Sequence, residues 1–381
     1  ISCRTMSTEH SKRAAKFTAD VEKTTWHDAT FWSVRQKRDK MAHELPEWED
    51  LRELASEIKM HTITHLADYL DVFSKNLESR GVKVHWAKDA QEFNEIVLGI
   101  LNDHHVKKMV KSKSMLTEEC EMNPYLEKHG IDVVETDLGE RIIQLLGQKP
   151  SHIVMPAIHL KREEVGKMFE EKGISKEIGN YDPTYLTRCA RHHLRNQFME
   201  AGAGMTGCNF GVAETGDCVV CTNEGNADMT TSMPKLHIVA MGIEKLVPDY
   251  KSLAVFQRLL CRCGTGQPTT AFTSHFRQAR PGAEMHVVLV DNGRSDILAA
   301  KDHWQTLKCM RCGACMNTCP VYRRSGGYSY TYFIPGPVGV NLGMLKNPQK
   351  YADNVSACTL CLSCDNVCPS KVGPGSQIYV W

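Results

Sequence analysis

Cys309-Met310-Arg311-Cys312-Gly313-Ala314-Cys315-Met316-Asn317-Thr318-Cys319-Pro320 recurs in spacing as Cys358-Thr359-Leu360-Cys361-Leu362-Ser363-Cys364-Asp365-Asn366-Val367-Cys368-Pro369. Both runs read Cys-x2-Cys-x2-Cys-x3-Cys-Pro, the only internal repeat in the chain. Two-residue spacings wrap a short turn around three irons of a four-iron, four-sulfide cubane, and the fourth thiolate arrives from elsewhere. In two-cluster proteins of this motif class the fourth cysteine serves the other cluster. The expected ligand sets are therefore Cys309, Cys312, Cys315 and Cys368 for cluster one, and Cys358, Cys361, Cys364 and Cys319 for cluster two. Zinc also accepts four thiolates, but two runs of four cysteines each closed by proline exceed what a zinc ribbon needs. Residues 320–357 make a longer insert than a minimal bacterial ferredoxin requires, so helices are expected around the clusters. Every iron has a candidate cysteine, which points to an electron conduit and away from a substrate-activating centre.

Working outward, composition changes abruptly near Lys308, and eight of the sixteen cysteines fall between Cys309 and Cys368. Upstream, β-branched runs alternate with helical stretches: strands at 82–86, 108–111, 132–136, 153–155, 210–214, 217–223, 236–241 and 286–290, helices at 90–102, 117–129, 161–172 and 183–201, and a helix from Ser295 to Lys308. Such alternation predicts a mostly parallel sheet covered on both faces. Residues 7–73 are charged and carry apolar residues at helical spacing (Leu51, Leu54, Ala55, Ile58; Ile63, Leu66, Leu70, Phe73). The organisation expected is an N-terminal helical arm over 1–73, an α/β domain over 74–300, and a mostly α-helical ferredoxin-type domain with two 4Fe4S clusters over 301–381.

The chain has 381 residues, 42% hydrophobic and 24% charged, with a formal charge of +1. These values fit a folded protein and supply none of the charge excess of a nucleic-acid tail or polybasic membrane arm. Sixteen cysteines over this length fall below the density of a disulfide-stapled secreted domain. Neither a signal-peptide-length apolar run nor about 18 consecutive apolar residues occurs, so a cytoplasmic protein with reduced thiols is expected. Met6 reads as a translation start, with Ile1–Thr5 as an upstream extension.

The remaining motifs read as structural. Gly202-x-Gly204-x2-Gly207 has dinucleotide-fingerprint spacing but follows a polar helical run, so any flavin or nicotinamide is expected on another subunit. Cys218 and Cys221 would point to opposite faces of a strand. Cys261 and Cys263 read as a loop before Gly264-Thr265-Gly266, and Cys3, Cys120, Cys189 and Cys208 are isolated. His104-His105 and His192-His193 have no carboxylate companion in the sequence pattern and read as solvated.

The strings Thr206-Gly207-Cys208-Asn209-Phe210, Ala213-Glu214-Thr215-Gly216, Thr222-Asn223-Glu224-Gly225-Asn226, His237-Ile238-Val239-Ala240-Met241-Gly242-Ile243-Glu244-Lys245 and Lys111-Ser112-Lys113-Ser114-Met115 stand in order before the cysteine runs. Pro320-Val321-Tyr322-Arg323-Arg324 and Gly326-Gly327 follow the first run. From about Trp26 onward the chain resembles the lactate utilization protein B family. The resemblance implies an iron-sulfur subunit of a three-protein complex oxidising L-lactate to pyruvate. It also implies an α/β domain similar to sugar-phosphate isomerase and CoA-transferase folds, a second iron-sulfur protein and a smaller α/β protein as partners, and a further C-terminal segment beyond Trp381.

Open α/β sheets bind ligands at strand ends, so Glu214, Thr215, Asn223, Glu224 and Asn226 are expected in one cleft, with Lys111 and Lys113 offering charge to a carboxylate or phosphate. The alternative is that these side chains fasten turns and caps. No residue is identified as the base for a 2-hydroxy acid. The rival function is a ligand-binding or catalytic α/β domain for a phosphorylated or acyl substrate, with the clusters as redox sensor; a third is a scaffold that the clusters only staple.

Overall fold

The computed structural model describes residues 8–381. The reading of Met6 as a start and Cys3 lie outside the described residues. Among the described residues, four helices come first: α1 (Glu9–Thr18), α2 (Val21–His43), α3 (Trp48–Thr64) and α4 (Leu66–Glu78). Thr8 and Asp20 cap α1 and α2 by accepting from Ser11 and Lys23 N–H, which satisfies one otherwise orphaned donor in each.

Ten strands follow: β1 (Lys83–Ala87), β2 (Lys108–Lys111), β3 (Asp132–Glu135), β4 (Ala203–Gly207), β5 (Phe210–Val212), β6 (Asp217–Thr222), β7 (Leu236–Gly242), β8 (Leu246–Val247), β9 (Phe272–Phe276) and β10 (Glu284–Val290). Six form a wholly parallel sheet in the order β1-β10-β7-β4-β2-β3. Its central strands β10, β7 and β4 are buried on both faces because both are covered. Leu236, Ile238 and Ala240 of β7 join the core beneath the helices at 90–103 and 115–128, while Val239 and Met241 face the core under α4. A smaller sheet, β8-β5-β6-β9, lies beside it. Phe210, Val212, Val219 and Val247 pack with Leu51 and Ala55 of α3, with the helix Tyr250–Gly264, and with Met310, Cys312 and Ala314. One apolar cluster thus spans the arm, the small sheet and the first cysteine loop.

Among the described residues, 301–381 contain helices and turns and no strand. The arm is not free-standing. Helices α1 and α2 pack on the helix Pro320–Ser325 and its surroundings, and α4 runs through residue 73 to pack on β1.

Several local expectations are corrected. Ile153–Met155 is not a strand: His152 Nδ1 accepts from the N–H groups of Val154 and Met155 at 3.1 and 3.0 Å, and Ser151 Oγ donates to Pro156 O at 3.0 Å. Local side-chain bonds have replaced ladder bonds there. The helix expected over 117–129 breaks into Met115–Glu119 and Met122–Lys128 at Glu121, which has φ 50°; Pro124 cannot donate to Cys120 O, so one continuous helix is barred. The stretch from Ser295 to Lys308 is a short helix, Arg294–Ala299, and a 3-10 turn, Trp304–Lys308. Cys261 and Cys263 sit in the last turn of the helix Tyr250–Gly264 rather than in a loop.

The Gly202-x-Gly204-x2-Gly207 spacing belongs to β4, a central strand absent from the expected set. A Cβ on Gly204 would lie 1.8 Å from Thr230 O: the glycine admits the backbone of the helix Asn226–Ser232. Gly204→Ala should therefore destabilise the fold by about 3 kcal/mol or more, since backbone rather than a pliable side chain must move. Urea denaturation of the two proteins checks this.

Candidate functional site

The two cysteine loops share one backbone path. Arg311 and Gly313 have φ of 63° and 80°, and their counterparts Leu360 and Leu362 have 53° and 56°. A helix follows at the same offset in each, Ala314–Thr318 and Ser363–Val367, and Cys319 and Cys368 adopt matching φ, ψ values of −66°, 119° and −67°, 118°. Three non-glycine residues per pair of loops held left-handed cost free energy that the surroundings must offset; what they achieve is to turn the thiols inward. Backbone N–H groups of Arg311, Tyr322, Leu360 and Val372 donate to Sγ of Cys309, Cys319, Cys358 and Cys368 at 3.3 to 3.5 Å, the environment a thiolate ligand requires.

Cys309, Cys312, Cys315 and Cys368 line one small cavity with Ile153, Val338 and Val372. Charge on Cys315 is felt chiefly from Cys309, Cys312 and Cys368, whereas Cys319 feels Cys358 and Cys361. Burial pushes the Cys368 thiol up to about 11, so a cation is needed to hold that set as thiolates. The donor set, the cavity and the amide bonds fit an iron-sulfur cluster.

A second cavity of about 290 Å³ opens at the carboxyl ends of β4 and β7. It is lined by Gly207 and Gly242, by residues 112–116, 220–224 and 226, and by Met310, Arg311 and Cys312 of the first cysteine loop. Lys113 donates to Val154 O at 3.0 Å and pairs with Glu140 at 3.3 Å. Glu224, at the rim, accepts from Leu138 N–H at 3.0 Å; partial burial and neighbouring Asp137 push its carboxyl up to about 7. Arg294 is held by Glu244 at 2.5 Å and Glu119 at 3.0 Å.

Of the residues expected in one cleft, Lys113, Asn223, Glu224 and Asn226 do line this cavity. The other three do not. Lys111 is fully buried, pairing with Glu135 at 2.7 Å and Glu118 at 3.0 Å and donating to Thr117 Oγ1, so its charge is already spent inside the domain. Glu214 and Thr215 form the turn between β5 and β6, where their carbonyls accept from Asn76 and Arg80 beside α4. Asn223 and Asn226 also fasten structure, through Gln267 and Thr136, as the turn-and-cap alternative anticipates.

Sequence reasoning did not single out Glu244, Lys245, Arg294 and Arg311 as cavity residues. The signal lay in Gly242, where a Cβ would meet Glu244 Oε2 at 2.2 Å, and in the arginine between two ligand cysteines. Cys218 and Cys221 do enter different apolar clusters. His104 has a carboxylate neighbour after all: Glu284, 3.3 Å away, which also takes Lys83 and His286. These residues come together only through the pairing of β1 with β10.

The protein joins an α/β domain with a parallel sheet to a helical domain of the 4Fe-4S class. A family profile described as LUD domain matches residues 70–295, and one described as 4Fe-4S dicluster domain matches 305–372. The chain is 42% identical to lactate utilization protein B of Macrococcus caseolyticus over 348 residues, 89% of this chain and 72% of that one. With its counterpart from Geobacillus thermodenitrificans it is 44% identical over 338 residues, 86% and 70% of the two. A crystal structure of a DUF162 family protein from Deinococcus radiodurans covers 59% of this chain and 98% of its own at 13% identity and a TM-score of 0.34. This chain belongs to the lactate utilization protein B family. No helix among the described residues is long and apolar enough to cross a membrane.

Glu140, beneath Lys113, is buried, and burial pushes its carboxyl up to about 8. Folding then takes up a proton between the ordinary value near 4.5 and about 8, so this group makes stability fall as pH rises through that window, by at most about tenfold in the unfolding constant per pH unit. Glu140→Gln should flatten that decline, as denaturation curves from pH 5 to 8.5 would show.

Proposed function

We propose that this protein is the electron-transfer iron-sulfur subunit of an assembly that oxidises L-lactate to pyruvate. The observation that carries the reading is the shared lining: Met310, Arg311 and Cys312 line the 290 Å³ cavity at the sheet's carboxyl edge. A small molecule held there lies against a ligand loop of the first cysteine set. When bound, each cluster takes up or releases one electron at a time. Oxidation of lactate releases two electrons and two protons, and two such centres match the electron count. Glu224, a carboxylate that lines the cavity, is the proposed proton acceptor.

The crossed ligand sets, Cys309/Cys312/Cys315/Cys368 and Cys358/Cys361/Cys364/Cys319, are part of this proposal. The cavity that the first four line, and the neighbouring sulfurs whose charge Cys315 and Cys319 feel, support it. So are a ligand-binding α/β domain of the sugar-phosphate isomerase and CoA-transferase type, and two partners, a second iron-sulfur protein and a smaller LUD-type protein. Relatives named lactate utilization protein B support the substrate.

Anaerobic iron and sulfide quantitation should find about eight irons per chain, and electron paramagnetic resonance with the partners present should develop a reduced-cluster signal on adding L-lactate. Cys319→Ser should leave about four irons and remove the centre ligated by the second loop, not the first. Zinc in place of iron, or clusters that stay oxidised with lactate and partners, would overturn the reading.

A further inference from the structure

Four cations line the cavity, Lys113, Lys245, Arg294 and Arg311. Lys113 lies 3.3 Å from Glu140, and Arg294 is bracketed by Glu119 and Glu244. Arg311 Nη1 is buried with no hydrogen-bond partner, and Thr222 Oγ1, on the facing wall, is equally orphaned. Among the described residues, no ion pair and no hydrogen bond engages the ammonium of Lys245: its nearest acid in sequence, Glu244, is committed to Arg294. Burial pushes the pKa of Lys245 down; the charge of Glu244 opposes this and the Arg311 guanidinium adds to it. Glu244 is shared with Arg294, so two positive charges without an ion pair of their own are only partly offset, which is costly where solvent is restricted.

We propose that Lys245 and Arg311 form a binding site for the carboxylate of a small organic acid, and that filling this site and reducing the cluster on the first cysteine loop oppose one another. The guanidinium fork of arginine matches a carboxylate bidentately, and the lysine adds a point charge. Thr222 supplies a hydroxyl donor. The acids that line the cavity are Glu119, Asp137, Glu224 and Glu244, and Glu244 stands next to Lys245 with its carboxylate on Arg294. A single carboxylate is therefore favoured over a dicarboxylate, whose second charge would meet these acids.

The antagonism follows from position. Arg311 lies between Cys309 and Cys312, its own N–H donates to Cys309 Sγ at 3.4 Å, and Cys312 lines the cavity. A carboxylate on Arg311 adds negative charge beside sulfurs whose cluster gains another negative charge on reduction. Linkage makes the effect reciprocal: the bound acid lowers the cluster's potential, and the reduced cluster binds the acid more weakly. The binding half stands on the cavity alone; the redox half rests on the electron-path reading above, and in that reading the arrival of an electron loosens the product carboxylate.

The test uses anaerobic, iron-loaded protein. Calorimetric titration with pyruvate should show saturable binding, at least tenfold weaker in Lys245→Gln and in Arg311→Lys, with iron content unchanged. Propanone, which lacks the carboxylate, should not bind. Dithionite titration followed by electron paramagnetic resonance should show one cluster shifted to lower potential by saturating pyruvate, and tenfold weaker binding to the reduced form corresponds to about 59 mV for one electron. Should Arg311→Lys lose iron, Lys245→Gln decides alone. Pyruvate binding untouched by Lys245→Gln, or inorganic phosphate or malonate binding as tightly as pyruvate, would overturn the carboxylate site. Potentials unmoved by pyruvate would overturn the antagonism. Lysine-dependent pyruvate binding in a protein whose clusters stay blind to L-lactate would leave the site standing and remove the electron-path reading.

Discussion

Buried positive charge from the N-terminal arm holds the α/β domain and the cysteine domain in register. Arg38 and Arg52 reach the carbonyls of Val367 and Cys368 at 3.2 and 3.0 Å, while one helical turn or two further along α3, Lys59 donates to the carbonyls of Glu244 and Leu246. One pair of helices therefore grips the strand-end segment that carries Lys245 and also the ligand loop that carries Cys368. Burial pushes the Lys59 ammonium down to about 7, so the charge is held against a desolvation cost, and removing either side of the grip would leave it unsatisfied. The cavity between the domains has its shape because of this clamp.

Within the clamp, polar groups are spent in two ways. Lys111 with Glu118 and Glu135, and Arg294 with Glu119 and Glu244, are networks in which each buried cation is bracketed by two carboxylates. They stiffen the ends of β2 and the turn after β10, from which the cavity walls rise. Lys245 and Arg311 are left open. The contrast separates charge that builds the fold from charge available to a ligand, a distinction between lysines 111 and 245 that residue type alone does not contain.

The cysteine repeat was legible because the spacing of ligands along a short turn is itself a geometric statement, and the identical left-handed positions of Arg311 and Leu360 are its backbone consequence. Alternation of β-branched and helical runs likewise revealed the parallel sheet. What escaped were features made by contacts distant in sequence. β4 lacks β-branched density in part because Gly204 admits a helix, and Ile153–Met155 has that density but lies in an irregular segment held by His152. Lys113 and Lys111, two residues apart, look alike in sequence; one reaches the cavity rim and the other is sealed below it.

The sequence by itself determined the chemistry: eight thiols in two matched loops, an α/β domain ahead of them, and polar strings at strand ends. The tertiary structure alone decided which of those strings meet and what they face. The order β1-β10-β7-β4-β2-β3 draws residues from 112 to 311 to one edge, and the arm presses the first cysteine loop across it. Ligand spacing is a local property of the chain, whereas the convergence of Lys245 with Arg311, neither in an ion pair, exists only once separate segments have packed.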